Sequence, residues 1–299
     1  MHLTADRKGK IEKESSVQDW FLEQLYGHKA GRMLLKPLIS PALSVSAGKV
    51  LDSRLSAILI PFFIWRCHID MKDFELAAYA SYNDFFKRKL ADGARIIEQT
   101  GNYFISPCDS RLSVYKIEKD CEFTVKHTRY TVQSLLKSGK LAEKFKGGYV
   151  WIFRLCVDDY HRYIYTDNGT VSKNRRIKGV FHTVNPAANE AYPIYKENTR
   201  EYCLLKSEHF GTILQMEVGA MLAGRIENRK TGRTVCRGQE RGNFAFGGST
   251  VILITQKGRV LPDGDILRYS KSGIETKVRT GEKIGKKWIK KSEQDFDLP

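Results

Sequence analysis

The chain has 299 residues, 41% of them hydrophobic, enough for one large or two ordinary domains with a proper core, so disorder over most of its length is excluded. Lysine and arginine outnumber aspartate and glutamate 50 to 34, a net charge of +16 that implies an anionic partner: nucleic acid, an anionic membrane surface or an acidic substrate. Six cysteines, at 67, 108, 121, 156, 203 and 236, form no CxxC pair and read as reduced thiols of a cytosolic setting.

The opening MHLTADRKGKIEKESS is charged and lacks the apolar core of a secretory signal peptide. The first hundred residues then read as helical. SVQDWFLEQLYG offers Ser16 as a cap, apolar Val17, Trp20, Phe21 and Leu25, and a stop at Gly27. LSVSAGKVLDSRLSAILIPFFIW and MKDFELAAYASYNDFFKRKL continue the pattern, giving an amphipathic arm over 1–100. Its most apolar piece, Leu55 to Trp65, is shorter than the ~18 to 20 residues of a membrane span and is broken by Pro61.

From about Tyr103 the texture changes to short β-rich runs, YFISP, RLSVYKI, CEFTVKH, YVWIFRL, RYIYT, YCLLK, TILQMEVGAML and TVILI, with one helical interruption at TVQSLLKSG. This predicts an α+β fold, a mainly antiparallel sheet core over 101–299 behind the helical arm, rather than the alternating pattern of a dinucleotide fold. The last strand carries an oddity: in FAFGGSTVILI, Gly247, Gly248 and Ser249 interrupt an apolar, β-branched run. The basic tail around Trp288 and Ile289 reads as a solvated end or as a basic surface with an aromatic anchor for anionic lipid.

The chain has no GxxxxGK[ST], HExxH or GxSxG string, no Cys/His spacing suited to a metal, and no nucleic-acid-binding motif behind its charge. What remains are polar islands among apolar strands: Asp109 in SPCDSR, His161 in DYHR, His182 in FHTVNP and Ser249 in FGGST. Singly, each has an ordinary explanation: Asp109 as a turn residue, His161 and His182 as bonded structural histidines, Ser249 as a strand serine beside a glycine bulge. Together they supply an acid, a base and a nucleophile, the parts of an activated hydroxyl.

The ordered set SPxDSR, DYHR, HTVNP, ENxREY, EVGAMLxG and FGGST resembles the phosphatidylserine decarboxylases of bacterial type, from about Ser81 to about Lys257. The resemblance implies that the chain cuts itself between Gly248 and Ser249: the Ser249 hydroxyl attacks the Gly248 carbonyl, and β-elimination leaves a pyruvoyl cap on a short α chain, 249–299, beside a β chain, 1–248. Glycine accepts the strained turn this attack needs at little cost. The resemblance further implies that the covalent pyruvoyl cofactor from Ser249 forms a Schiff base with phosphatidylserine and drains the electrons left by loss of CO2, giving phosphatidylethanolamine. Asp109 matches the family's aspartate and His161 the position assigned to reprotonation. Many members carry a second histidine at the position of Ile164, so the self-cleavage base is either His161 serving twice or His182. A membrane-bound substrate implies peripheral placement at the cytoplasmic face of the cell membrane, and the two chains are expected to stay together as a heterodimer within a higher homo-oligomer. No metal and no nucleic acid is expected. Two other readings stay open: a pyruvoyl decarboxylase of a soluble amino acid, and an inactive member that binds anionic lipid.

Overall fold

The structure is a computed structural model and describes residues 2–14, 40, 46, 48–125, 128–156, 158–183, 194–220, 225–229, 233–245 and 249–289. The expected helix over SVQDWFLEQLYG, together with Gly247 and Gly248, lies outside the described residues. In chain order the strands are β1 (His2–Ala5), β2 (Ile11–Glu14), β3 (Tyr103–Ile105), β4 (Ser110–Lys116), β5 (Glu122–Val125), β6 (Thr128–Thr131), β7 (Tyr149–Leu155), β8 (Arg162–Ile164), β9 (Gly169–Val171) and β10 (Arg175–Ile177). They continue with β11 (Arg200–Ser207), β12 (Gly211–Val218), β13 (Ile226–Asn228), β14 (Thr234–Val235), β15 (Glu240–Phe244), β16 (Ser249–Thr255), β17 (Val260–Pro262), β18 (Glu275–Val278) and β19 (Lys283–Lys287). The α-helices are short: α1 (Leu59–Cys67), α2 (Tyr82–Phe86), α3 (Val132–Leu136), α4 (Gly139–Ala142), α5 (Ile194–Glu197) and α6 (Gly264–Lys271).

A large sheet in the order β14-β9-β11-β12-β16-β7-β4-β18-β1-β2, with β10 also on β11, forms the frame, and all its pairings are antiparallel except β1 on β18. The α+β, mainly antiparallel class expected from the sequence is the class observed. β7 and β16 lie at its middle with both faces covered, so their side chains divide between two cores. Val150, Ile152, Ile252 and Ile254 face a core closed by β5, β6, α3 and α5, whereas Trp151, Phe153, Val251 and Leu253 face one closed by β8, β15, β19 and α6. Burial on both faces is why these strands read as continuous β-branched and aromatic runs instead of alternating ones. The TVQSLLKSG interruption is α3, opened by a capping box between Thr131 and Ser134 and closed by Lys137 in the left-handed region at φ 52°.

Three local expectations are corrected. Residues 2–14, read as the start of a helical arm, form the hairpin β1–β2, whose turn is held by the Asp6 carboxylate accepting from Lys8 N and Lys10 N. MKDFELAAYASYNDFFKRKL is helical in its second half only over α2; Phe74 instead bridges Leu90, and its ring packs against Tyr160 and the Arg88 guanidinium. These long-range contacts outweigh the local helical pattern. The basic tail is not a solvated end through residue 287: β18 pairs with β4 and β1 in the large sheet, and β19 pairs with β17 and β3. Trp288 and Ile289 just beyond are exposed.

Candidate active site

Ser249 is the first residue of β16 and pairs with Leu155 of β7, while Thr250 pairs with Arg154 on one side and Val218 on the other. Carried one step further, the β12 register sets Gly219 across from Ser249. The side chain is 1% exposed, and its Oγ has no hydrogen-bond partner among the described residues. A buried hydroxyl without a partner costs about 1–3 kcal/mol, so its isolation needs a reason.

From Leu155 the chain makes a short loop to His161 and enters β8, which pairs with β15: Arg162 lies opposite Asn243, and Phe244 N donates to the His161 carbonyl at 3.0 Å. The chain leading into the Gly-Gly-Ser stretch is therefore bonded to His161, and the chain leaving it is bonded to Leu155. Ile164 is buried in β8, and its N–H donates to Pro107 O, which draws the SPCDSR loop alongside. Sequence islands more than a hundred residues apart thus meet at one end of the large sheet.

His161 is fully buried, its ring 4.1 Å from that of Phe86 between centroids. Nδ1 lies 2.9 Å from the Asp159 carbonyl, an acceptor only, so Nδ1 carries the proton and Nε2 keeps a lone pair. Nε2 is buried and has no partner among the described residues. Burial lowers the pKa of His161 to about 3, with the Arg88 charge acting in the same direction against the Asp159 carbonyl, so the ring is neutral. The Asp159 carboxylate accepts from Arg111 and from Cys156 N, and burial nevertheless pushes it up to about 6.

Asp109 is placed on the same loop system but faces elsewhere. Its Oδ1 accepts from Thr280 N at 2.7 Å and Thr280 Oγ1 at 2.8 Å, and Oδ2 accepts from Arg95 Nη2 at 2.6 Å. Its carboxylate ties Arg95 and Thr280 to the loop, whereas the ring of His161 is oriented by the Asp159 carbonyl. His182 reaches the site from the β12 side. Asn198 accepts from His182 N and donates to the carbonyls of His182 and Gly219, and His182 Nε2 lies 3.3 Å from Glu197 Oε2. Ser249 thus has one candidate histidine approached through β7 and the other through β12.

Beneath Ser249, on the same face of the sheet, lies a buried polar cluster that the sequence did not announce. Glu217 of β12 is opposite Glu201 of β11, a repulsive pairing relieved by the forked Arg241–Glu217 contact at 2.8 Å and by Asn228 Nδ2 donating to both carboxylates. Tyr163 beside His161 donates to Asn228 Oδ1, so the cluster braces the β8–β15 pair. Of Arg88 and Asp159, which the structure places at His161, the sequence carries one signal, a charged residue within the aromatic run FFKR.

Comparison with known proteins gives the family. The family profile described as phosphatidylserine decarboxylase matches residues 82–286. Similar curated proteins include the phosphatidylserine decarboxylase proenzyme 2 of Clostridium acetobutylicum, 42% identical over 92% of this chain and 95% of that one. The phosphatidylserine decarboxylase proenzyme of Clostridium tetani is 44% identical over 94% and 96%, and that of Fusobacterium nucleatum 35% identical over 93% and 95%.

Proposed function

This chain belongs to the phosphatidylserine decarboxylase family, and from that premise we propose how its residues make and hold the group that performs the reaction. It is a proenzyme whose mature form converts phosphatidylserine to phosphatidylethanolamine and CO2. Two observations support the site assignment: the Ser249 hydroxyl at the start of β16 and the neutral Nε2 of His161, on the loop leaving its partner strand β7, are both buried without a hydrogen-bond partner among the described residues.

His161 Nε2 takes the proton of the Ser249 hydroxyl; Oγ adds to the Gly248 carbonyl and the C–N bond breaks, exchanging amide for ester. A base then removes the Ser249 α-proton, and the ester carboxylate departs from Cβ. The dehydroalanine left on the α chain hydrolyses to a pyruvoyl cap with release of ammonia. A neutral ring suits the first step, because an imidazolium could not accept the proton. The residues fit a pyruvoyl group at position 249: the serine is preceded by two glycines, sits in a water-poor strand end, and has an idle imidazole on the loop joined to its partner strand. When bound, the group supplies an electron sink for the decarboxylated carbon. Ser249 holds it by its own backbone, Phe86 and Tyr163 keep water out, and His161 returns a proton to the product carbon. Asp109 is a positioning residue that holds the loop through Arg95 and Thr280.

The enzyme works at the surface of an anionic membrane. The exposed Leu55, Ile58, Phe62 and Trp65 on and before α1 offer apolar surface, and the net charge of +16 draws it to anionic headgroups. Among the described residues no helix is long and apolar enough to cross the bilayer. Placement at the cytoplasmic face of the cell membrane and a higher homo-oligomer belong to the same proposal.

Intact mass is the direct test. Two chains are expected, 1–248 and 249–299, the smaller with a blocked end that reacts with hydroxylamine, and CO2 is released from phosphatidylserine vesicles. A folded chain that stays whole, or a cut chain acting only on free amino acids, overturns the reading.

A further inference from the structure

Arg88 is a charged side chain that is 2% exposed, and no carboxylate pairs with it among the described residues. Its guanidinium lies 4.4 Å from the Phe74 ring centroid and 5.0 Å from that of Phe85, while Nε and Nη1 have no hydrogen-bond partner. Burying a lone cation this way is costly, because a carboxylate or water usually compensates it. Among the described residues its guanidinium donates to one loop alone: Nη2 to Asp158 O at 3.1 Å and to Asp159 O at 3.2 Å. The second of these oxygens is the one that accepts from His161 Nδ1. The neighbouring Phe86 supplies the ring against His161, and the carbonyls of Lys87 and Arg88 accept from Arg162 Nε, so the FFKR segment clasps the histidine from both sides.

We propose that Arg88 is a positioning residue for His161: it pins the Asp159 carbonyl that receives Nδ1–H, fixes that tautomer, and so keeps the lone pair on Nε2 available beside the cleavage site. This rests on the reading of His161 as the base. The groups that face the ring or its clasp are the Arg88 cation from the segment after α2, and Asp158 and Asp159 on the loop, the latter paired with Arg111 of β4. Tyr79 and Tyr82 face Arg88 from the far side. Since a guanidinium beside the ring opposes a second proton on it, Arg88 also widens the pH range over which the base is ready.

The test reads the ring itself. In the full-length Ser249→Ala precursor, nitrogen-15 imidazole spectra, with His161 assigned by His161→Gln, are expected to show the Nδ1–H tautomer without titration from pH 5 to 8. Adding Arg88→Met should mix the tautomers, so that both ring nitrogens show protonated character in place of Nδ1 alone. In the cleavable chain the same substitution should slow self-cleavage several-fold across pH 6 to 8, whereas Arg88→Lys, which keeps a donor and the charge, should cut close to the wild-type rate. Spectra and rate unchanged in Arg88→Met, or slowed cutting with the Nδ1–H tautomer intact, overturn the proposal. If Arg88→Met does not fold, an Arg88→Lys ring that titrates like an ordinary histidine does the same. Failure of the wild-type chain to cut would count against the proposed function instead, since the tautomer is read in an uncut protein.

Discussion

His161 and His182 differ in what occupies their ring nitrogens. His182 Nε2 is engaged with Glu197, and Asn198 clasps its backbone, whereas His161 Nε2 is idle. Accordingly, His161→Ala should remain a single chain on a denaturing gel and His182→Ala should still be cut; cutting in His161→Ala would move the base elsewhere. The same residue sets a pH dependence. Its pKa falls from an unfolded 6.5 to about 3 on folding, so between those values the unfolded chain binds more protons and stability is lost as pH falls. Asp159 acts oppositely: raised from 3.8 to about 6, it binds its proton more readily in the folded state, so stability is gained as pH falls through that window. The larger histidine shift wins. In the Ser249→Ala precursor, urea unfolding should show that His161→Gln removes about 2 kcal/mol of destabilisation between pH 7 and pH 5. Equal losses with and without the histidine would contradict its burial as a neutral ring.

At the scale of elements, β16 is both the start of the proposed α chain and a central strand, bonded along its length to β7 and β12. After cutting, β16, β17, α6, β18 and β19 would remain embedded in sheets whose other strands come from the β chain, so the two products should stay together without any covalent link. Ile252, fully buried in the core under α3, tests how much that strand contributes: Ile252→Ala should cost about 2–5 kcal/mol and lower the yield of cut protein in parallel with stability. A measured loss near zero would mean that β16 is not packed as described. β4, β7, β12 and β16 were legible in the sequence because burial on both faces demands long apolar, β-branched runs. The extended course of Phe74 to Ala80 was not legible, because its cause is the cation of Arg88 and the ring of Tyr160, residues that pattern alone does not bring together.

Across the whole molecule, the apolar patch on and before α1 and the positive charge lead to one expectation at the membrane. Phe62→Ser combined with Trp65→Ser should reduce flotation with phosphatidylserine-containing vesicles, and high salt should reduce it further by screening the charge. Undiminished flotation of the double variant at both salt concentrations would remove α1 from the docking surface. By itself the sequence determined the antiparallel α+β class and the family, and it singled out a serine behind two glycines as the residue on which the proposed chemistry rests. These are written in local runs and short motifs that need no knowledge of neighbours. Only the tertiary structure decided that residues 2–14 and 275–287 complete sheets rather than decorate the ends, and that Asp109 serves Arg95 and Thr280. It alone also showed which imidazole nitrogen is left bare. Hydrogen-bond partners, burial and the charges around a ring come from segments far apart in the chain, and no spacing within one segment can encode which of them will meet.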